Sequence, residues 1–136
     1  NKIKMTNNYI FELDMKVRDY ECDLQGIVNN ANYQHYMEHT RHEFLTSKGA
    51  SFAQLLEQNI DLVVARIEIQ YKSPLRSQDE FISRLNIRKD RIKYIFDQYI
   101  YRKSDMRLCV KAKVECVSVI NGVLGDYKEL DNILGV

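Results

Sequence analysis

Apolar and polar residues alternate strictly along Phe11-Glu-Leu-Asp-Met-Lys-Val17, the period-two pattern of a half-buried strand. The period then changes. From Asn32 to Lys48, residues plotted at about 100° each put Tyr33, Tyr36, Met37, Thr40 and Phe44 on one face, which predicts a long amphipathic helix starting near Asn29 or Asn30. Gly49 is placed to stop it. Ser51-Phe-Ala-Gln-Leu-Leu-Glu57 predicts a short second helix with Ser51 as N-cap. Strands account for the rest: Asp61–Tyr71, rich in Val and Ile and closed by Pro74, then Glu80–Arg88, Ile92–Arg102 and Leu108–Ile120. Asp90-Arg91 and Ser104-Asp105 supply short turns, so these last three strands read as an antiparallel meander. One long helix against a curled antiparallel sheet is an α+β layer architecture. A single helix cannot cover five long strands and their edges, so a partner subunit is expected to cover the remainder.

Composition narrows the class. A length of 136 residues predicts one domain, 1–136, with a real core. Hydrophobic residues at 45% and charged residues at 29% fit a soluble globular protein. A net charge of +1 gives no overall basic field for nucleic acid or a membrane surface. No apolar run approaches the roughly 18 residues of a membrane span, and the polar opening stretch Asn1–Asn8 does not read as a signal peptide. The odd cysteine set, Cys22, Cys109 and Cys116, has no C-x-x-C pair, which argues against a disulfide framework or a zinc site. Reduced thiols in the cytoplasm are the simplest reading. Cys109 and Cys116, seven apart on one strand, would face opposite sides.

Candidate chemistry concentrates between Val17 and Tyr33. A strand-like run ends on Asp23, a turn follows at Gly26, and the long helix begins just beyond. This order can place a carboxylate beside the free N–H groups of a helix start, where an oxyanion is stabilised. Gly26 would serve close backbone approach or a positive φ. Asn29 and Asn30 read equally well as helix caps. On a continuous strand, Asp19, Glu21 and Asp23 share a face and would raise one another's pKa. Arg18 would point the other way, leaving compensation to a residue such as Arg41. Glu21 then either supports Asp23 from behind or, as the simpler expectation, lies in solvent or faces a second subunit, and Cys22 faces away from both acidic neighbours. His35, His39 and His42 share one helical face, but it lies nearly opposite Tyr33, Met37 and Phe44 and gains no Cys or Asp, so no metal site is expected.

The segment Tyr20-Glu21-Cys22-Asp23-Leu24-Gln25-Gly26-Ile27-Val28, with Asn32-Tyr33 following, and Tyr71-Lys-Ser-Pro74 with Asp79 downstream, resemble the signature of hotdog-fold thioesterases of the 4-hydroxybenzoyl-CoA thioesterase type. Lys16-Val-Arg-Asp-Tyr-Glu21, Gly26-Ile-Val-Asn-Asn-Ala31, Arg41-His-Glu-Phe-Leu45 and Ser73-Pro-Leu-Arg-Ser77 are similar to the plant single-hotdog acyl-lipid thioesterases. Two positions depart from the common pattern. Asn30 stands where many bacterial acyl-CoA members carry His, which counts against a His-assisted mechanism, and Gln78 stands where Gly is usual.

The resemblance implies a hotdog fold, a curled five-stranded antiparallel sheet wrapped around one long helix. It implies hydrolysis of acyl-CoA or acyl-acyl-carrier-protein, in a homodimer or homotetramer, without cofactor or metal. Asp23 would attack the thioester carbonyl or act as general base for water, and the N–H of Asn30 would stabilise the oxyanion. Asn29 would hydrogen-bond Asp23 or a water. Lys72 and Arg76, or the run Arg88-Lys-Asp-Arg-Ile-Lys93, would hold CoA phosphates or an acidic carrier protein, although charge runs at strand ends are usually solvated turns. Tyr33, Tyr36 and Met37 would line an acyl channel or serve simply as core. Two rivals stand beside this: an acyl-thioester-binding protein without turnover, and a hydratase, whose His-x-x-Gly context is absent here.

Overall fold

The alternating stretch and the four turn-bounded stretches read as strands all form strands, and the 3.6-period stretch forms the helix they enclose. A computed structural model describes residues 8–136; all but the last residue of the polar opening stretch lie outside them. The order is β1 (Phe11–Lys16), α1 (Asn30–Ser47), α2 (Phe52–Glu57), β2 (Ile60–Tyr71), β3 (Glu80–Asp90), β4 (Lys93–Arg102), β5 (Arg107–Ile120), β6 (Val123–Gly125) and α3 (Lys128–Leu134). The sheet runs β1-β3-β4-β5-β2, antiparallel throughout, and β6 pairs with β5. The meander of β3, β4 and β5 is as the turns predict.

α1 lies against the inner face of this curled sheet. Phe44 meets Phe11 and Phe96 edge-on, at ring separations of 5.8 and 6.2 Å, and Tyr36 packs on Phe81 at 4.7 Å. Thr40 is buried yet satisfied: its hydroxyl donates or accepts with Ser83 at 2.7 Å across to β3. α2 starts where its cap predicts, with Ser51 Oγ accepting from the Gln54 N–H at 3.1 Å.

Two features lie beyond the sequence expectations. The chain does not end its regular structure at Ile120. Asn121 and Gly122 both take positive φ, 52° and 77°, and close a two-residue hairpin from β5 into β6. That Asn-Gly pair between apolar runs is a strong hairpin signal. α3 then returns to bury Leu130 and Leu134 in the core beside Phe44, Leu55 and Tyr94, and ends at Gly135 with φ 78°. The second correction concerns the cysteines. β4 pairs Ile100 with Val110 but Tyr101 with Leu108, leaving Cys109 as an extra residue in β5. The irregularity resets the alternation, so Cys109 and Cys116 both enter the core instead of facing opposite sides. All three cysteines are free thiols.

The two sheet edges differ. β1 is short and presents the exposed charges Glu12, Asp14 and Lys16, which blunt an edge against pairing. β2 has 12 residues and leaves Val63, Val64, Ile67 and Tyr71 38–45% exposed.

α3 is tied down by Lys89, whose ammonium donates to Asp126 and Asp131 at 2.5 and 2.6 Å, and by the Tyr94 hydroxyl, which also donates to Asp131. The hydrogen bonds from Lys89 and Tyr94 hold the Asp131 carboxyl below its ordinary range. A carboxyl with a depressed folded-state pKa adds stability above its unfolded value, about 3.9, and that contribution disappears as pH falls through the lower folded value. Unfolding measured against pH should therefore show an acid limb that Asp131→Asn flattens. Leu130→Ala should cost about 2–5 kcal/mol in urea unfolding at neutral pH, because it opens a cavity under α3.

Candidate active site

β1 stops at Lys16, and Val17 is stitched to the start of the β3 segment: its N–H donates to Asp79 O at 2.9 Å and its carbonyl accepts from Gln78 N at 3.1 Å. The strand does not continue to Asp23. Asp19–Glu21 form a single 3-10 turn, and this breaks the alternation expected through the acidic run. Asp19 and Asp23 stay exposed while Glu21 turns inward and is 7% exposed.

Glu21 is therefore neither solvated nor on an outer face. Its Oε1 accepts from the Arg18 N–H at 2.8 Å and from the Tyr36 hydroxyl at 2.7 Å, and Arg18 Nη1 donates to Oε2 at 3.3 Å. Its carbonyl accepts from Asn29 N at 3.0 Å and from Asn32 Nδ2 at 2.9 Å. One residue thus fastens the turn to the first two turns of α1. Burial, and then the adjoining carboxylate, push the Tyr36 phenol far above its ordinary range, so Tyr36 remains a donor. Arg18 supplies the charge compensation expected from Arg41. Arg41 is buried against β4, where Nη1 donates to Gln98 Oε1 at 2.9 Å, and burial lowers its pKa. Asp19 is not raised by like charges: hydrogen bonds from Ser77 and then Gln78 hold its carboxyl below the usual range.

Beyond Glu21 the chain makes a small hairpin, with Cys22 bridged to Val28. Asp23 begins its turn. The Asp23 N–H donates to Ile27 O at 2.9 Å, and its carbonyl accepts from Gly26 N at 3.0 Å. Its Oδ1 accepts from the N–H groups of Gln25 and Ile27 at 2.8 and 3.4 Å. Gly26 has φ +79°, and a Cβ there would meet nothing within 4 Å. Backbone conformation, not crowding within the protein, is what calls for glycine. Cys22 packs against the core, and burial raises its thiol pKa, which disfavours the thiolate.

Asn29 is the N-cap of α1, its Oδ1 accepting from Ala31 N at 2.9 Å. That oxygen is taken by the helix, which leaves the amide Nδ2 as the only Asn29 side-chain atom that could donate to Asp23 or a water. Asn30 opens the helix, and its N–H belongs to the first turn, which has no intrahelical acceptors. Asn30 also lines a cleft of about 260 Å³. Ile27, Val28, Asn30 and Tyr33 form one wall, and Tyr71, Lys72, Ser73 and Pro74 form the other. The two walls are joined below: Val28 N donates to Leu75 O at 2.8 Å, and Leu75 N donates to the Tyr33 hydroxyl at 2.9 Å.

The sequence-derived residues thus separate into groups. Asn30 and Lys72 share the cleft, and Asp23, Gly26 and Asn29 lie on the turn and cap leading into it. Arg76 is exposed and bridged to Ile27. Tyr33 is a cleft wall as well as core, whereas Tyr36 and Met37 are core alone. His35, His39 and His42 lie on the exposed side of α1. In the basic run, Arg88 pairs with Asp97, Lys89 with Asp126 and Asp131, and Lys93 with Glu115, so these cations are occupied with internal partners. Two residues escaped the sequence reading: Glu21 as a tether, and Arg102, whose Nη2 donates to the Pro74 carbonyl at 2.6 Å.

A family model for the thioesterase-like superfamily matches residues 17–124, and the chain belongs to that superfamily, with its hotdog fold. The chloroplastic acyl-acyl carrier protein thioesterase ATL3 of Arabidopsis thaliana is 36% identical over 103 residues, 75% of this chain and 54% of the plant protein. The chain therefore spans just over half the length of that relative. The crystal structure of the Aquifex aeolicus protein AQ1494 superposes with a TM-score of 0.85 at 31% identity, covering 91% of this chain and 98% of that one. Slr0204 of Synechocystis, a 1,4-dihydroxy-2-naphthoyl-CoA thioesterase, shares the fold at a TM-score of 0.85 and 15% identity, over 92% and 95% of the two chains.

Removing the tether has a definite cost. Glu21→Ala strands the Tyr36 hydroxyl and the Arg18 N–H, and should destabilise by about 2–3 kcal/mol in urea unfolding. Glu21→Gln keeps an oxygen acceptor for both and should cost clearly less.

Proposed function

We propose that this chain is a single thioesterase domain that hydrolyses acyl thioesters, acyl-CoA or acyl-acyl-carrier-protein, to free acid and thiol. The observation that carries this reading is a helix N-terminus opening onto a largely apolar cleft, with a carboxylate on the turn that leads into it. The acyl group lies in the cleft, and the carbonyl oxygen takes the Asn30 N–H. Negative charge that develops there is stabilised by the donor and by the helix dipole.

Asp23 acts on the carbonyl carbon in one of two ways. It attacks directly, expelling thiolate and leaving a mixed anhydride that water cleaves to acid and free carboxylate. Alternatively it takes a proton from water, and hydroxide expels the thiolate. Thiolate leaves readily in either case, so the reaction needs no strong general acid, which fits a site built without His. The turn N–H groups that bind Oδ1 orient the carboxylate, the positive φ of Gly26 makes the turn possible, and Asn29 fixes where the helix starts. Lys72, on the cleft wall, and Arg76, beside it, are the cations for the phosphates of the thiol carrier. No cofactor or metal is called for.

The long apolar edge of β2 supports a homodimer or homotetramer, since a second copy would cover it. The three free thiols fit a reducing compartment, the cytoplasm. No helix among the described residues is long and apolar enough to cross a membrane.

The test is free-thiol release from a panel of acyl-CoA and acyl-carrier-protein thioesters. Asp23→Asn keeps the shape and removes the charge, and turnover should fall by about 10²–10⁴-fold. Bound thioester with no turnover in the wild type would favour the acyl-binding protein instead, and turnover indifferent to Asp23 would remove the carboxylate mechanism.

A further inference from the structure

We infer that Arg102 is a specificity-determining residue: by holding the Pro74 carbonyl it fixes the far wall of the cleft, and so selects which acyl groups enter. This rests on reading the cleft as the acyl-thioester site. That wall belongs to the irregular crossing from β2 to β3, where beyond Tyr71 only an isolated bridge from Arg76 to Ile27 and the Leu75 hydrogen bonds to Val28 and Tyr33 stand in for a strand ladder. Its base is held by Lys72 and Ser73 N–H groups donating to Cys109 O at 2.8 and 3.2 Å. Its crest, Pro74, has no N–H to donate and is fastened through its carbonyl to Arg102.

Arg102 is itself oriented before any ligand arrives. It stands at the end of β4 with its side chain 19% exposed. Nη1 donates to Asp105 Oδ2 at 2.8 Å, and Nε lies 3.8 Å from Asp79 Oδ2. The same Asp79 oxygen accepts from the Arg76 N–H at 2.8 Å, so both ends of the crossing converge on one guanidinium. A planar fork can hydrogen-bond two acceptors in a fixed geometry while its charge faces a third, and a lysine ammonium on its flexible stem cannot do so equally well. The spacing of Tyr71, Pro74 and Asp79 thereby acquires a physical meaning. Tyr71 begins the wall, Pro74 is its crest, Asp79 closes it, and Arg102 joins the last two. A wall so held resists widening, and small differences in acyl fit then translate into discrimination.

The experiment measures kcat and KM for straight-chain acyl-CoA substrates of increasing length and for benzoyl-CoA. It compares wild type with Arg102→Met, Arg102→Lys and Asp105→Asn, and records a melting temperature for each. Arg102→Met should reduce discrimination between best and worst substrates by about tenfold, chiefly through KM. Arg102→Lys should fall between, and Asp105→Asn, which keeps an acceptor but removes the charge that strengthens the fork's hydrogen bond, should shift the profile in the same direction by less. Equal loss on every substrate, or an unchanged ranking with unchanged KM values, would overturn the inference. If Arg102→Met does not fold, the Lys and Asn variants decide by the same criterion. A wild type that turns over none of the panel, nor the same acyl groups carried on acyl-carrier-protein, overturns the reading of the cleft itself, and the inference with it.

Discussion

The arrangement depends on one buried carboxylate. Glu21 receives hydrogen bonds through its side chain from the 3-10 turn and from Tyr36, and through its carbonyl from the first residues of the α1 region. A buried acid without partners would cost far more than it contributes. Here each oxygen is occupied, and the result is a rigid joint between a loop and a helix start. Asp23 lies two residues beyond that joint and Asn30 one residue beyond the Asn29 N–H that it anchors. Their relative position is thus set by a neighbouring residue, Glu21.

The opposite wall follows a similar logic with different materials. It is an irregular segment whose polar backbone groups all need partners. Cys109, Tyr33, Val28, Asp79 and Arg102 supply partners for Lys72 N, Ser73 N, Pro74 O, Leu75 N, Leu75 O and Arg76 N, from both sides of the cleft. Tyr33 joins the two walls directly, since its ring faces the cleft and its hydroxyl accepts from Leu75. The cleft is preorganised by hydrogen bonds that run beneath and behind it, which leaves its lining largely apolar and free for a ligand.

What was legible in the sequence was whatever repeats with a local period. Alternation located β1, while Val and Ile richness and turn residues located the four long strands, and the helical wheel placed Tyr33, Tyr36, Met37, Thr40 and Phe44 inward. The same reasoning failed where the period is interrupted. Extending alternation from Val17 to Asp23 put Glu21 outside, because nothing local announces a three-residue 3-10 turn. One extra residue in β5 reversed the expected facing of Cys109 relative to Cys116. The β6 hairpin was different, since Asn121-Gly122 carried its signal openly. The Arg102 clamp joins residues 28 positions apart, and no spacing rule reaches across that distance. At the site, the segment from Asp23 to Asn30 was recognisable as a turn leading to a helix start, but not the tether that holds it.

The most direct test of the account is a crystal structure of the protein with a non-hydrolysable acyl-CoA analogue in which the thioester sulfur is replaced by methylene. The account predicts the acyl group between Tyr33 and the Tyr71–Pro74 wall. It predicts the carbonyl oxygen within hydrogen-bond distance of the Asn30 N–H, and an Asp23 carboxylate oxygen facing the carbonyl carbon directly or through one water. An analogue seated elsewhere, or a carbonyl turned away from the start of α1, would contradict it.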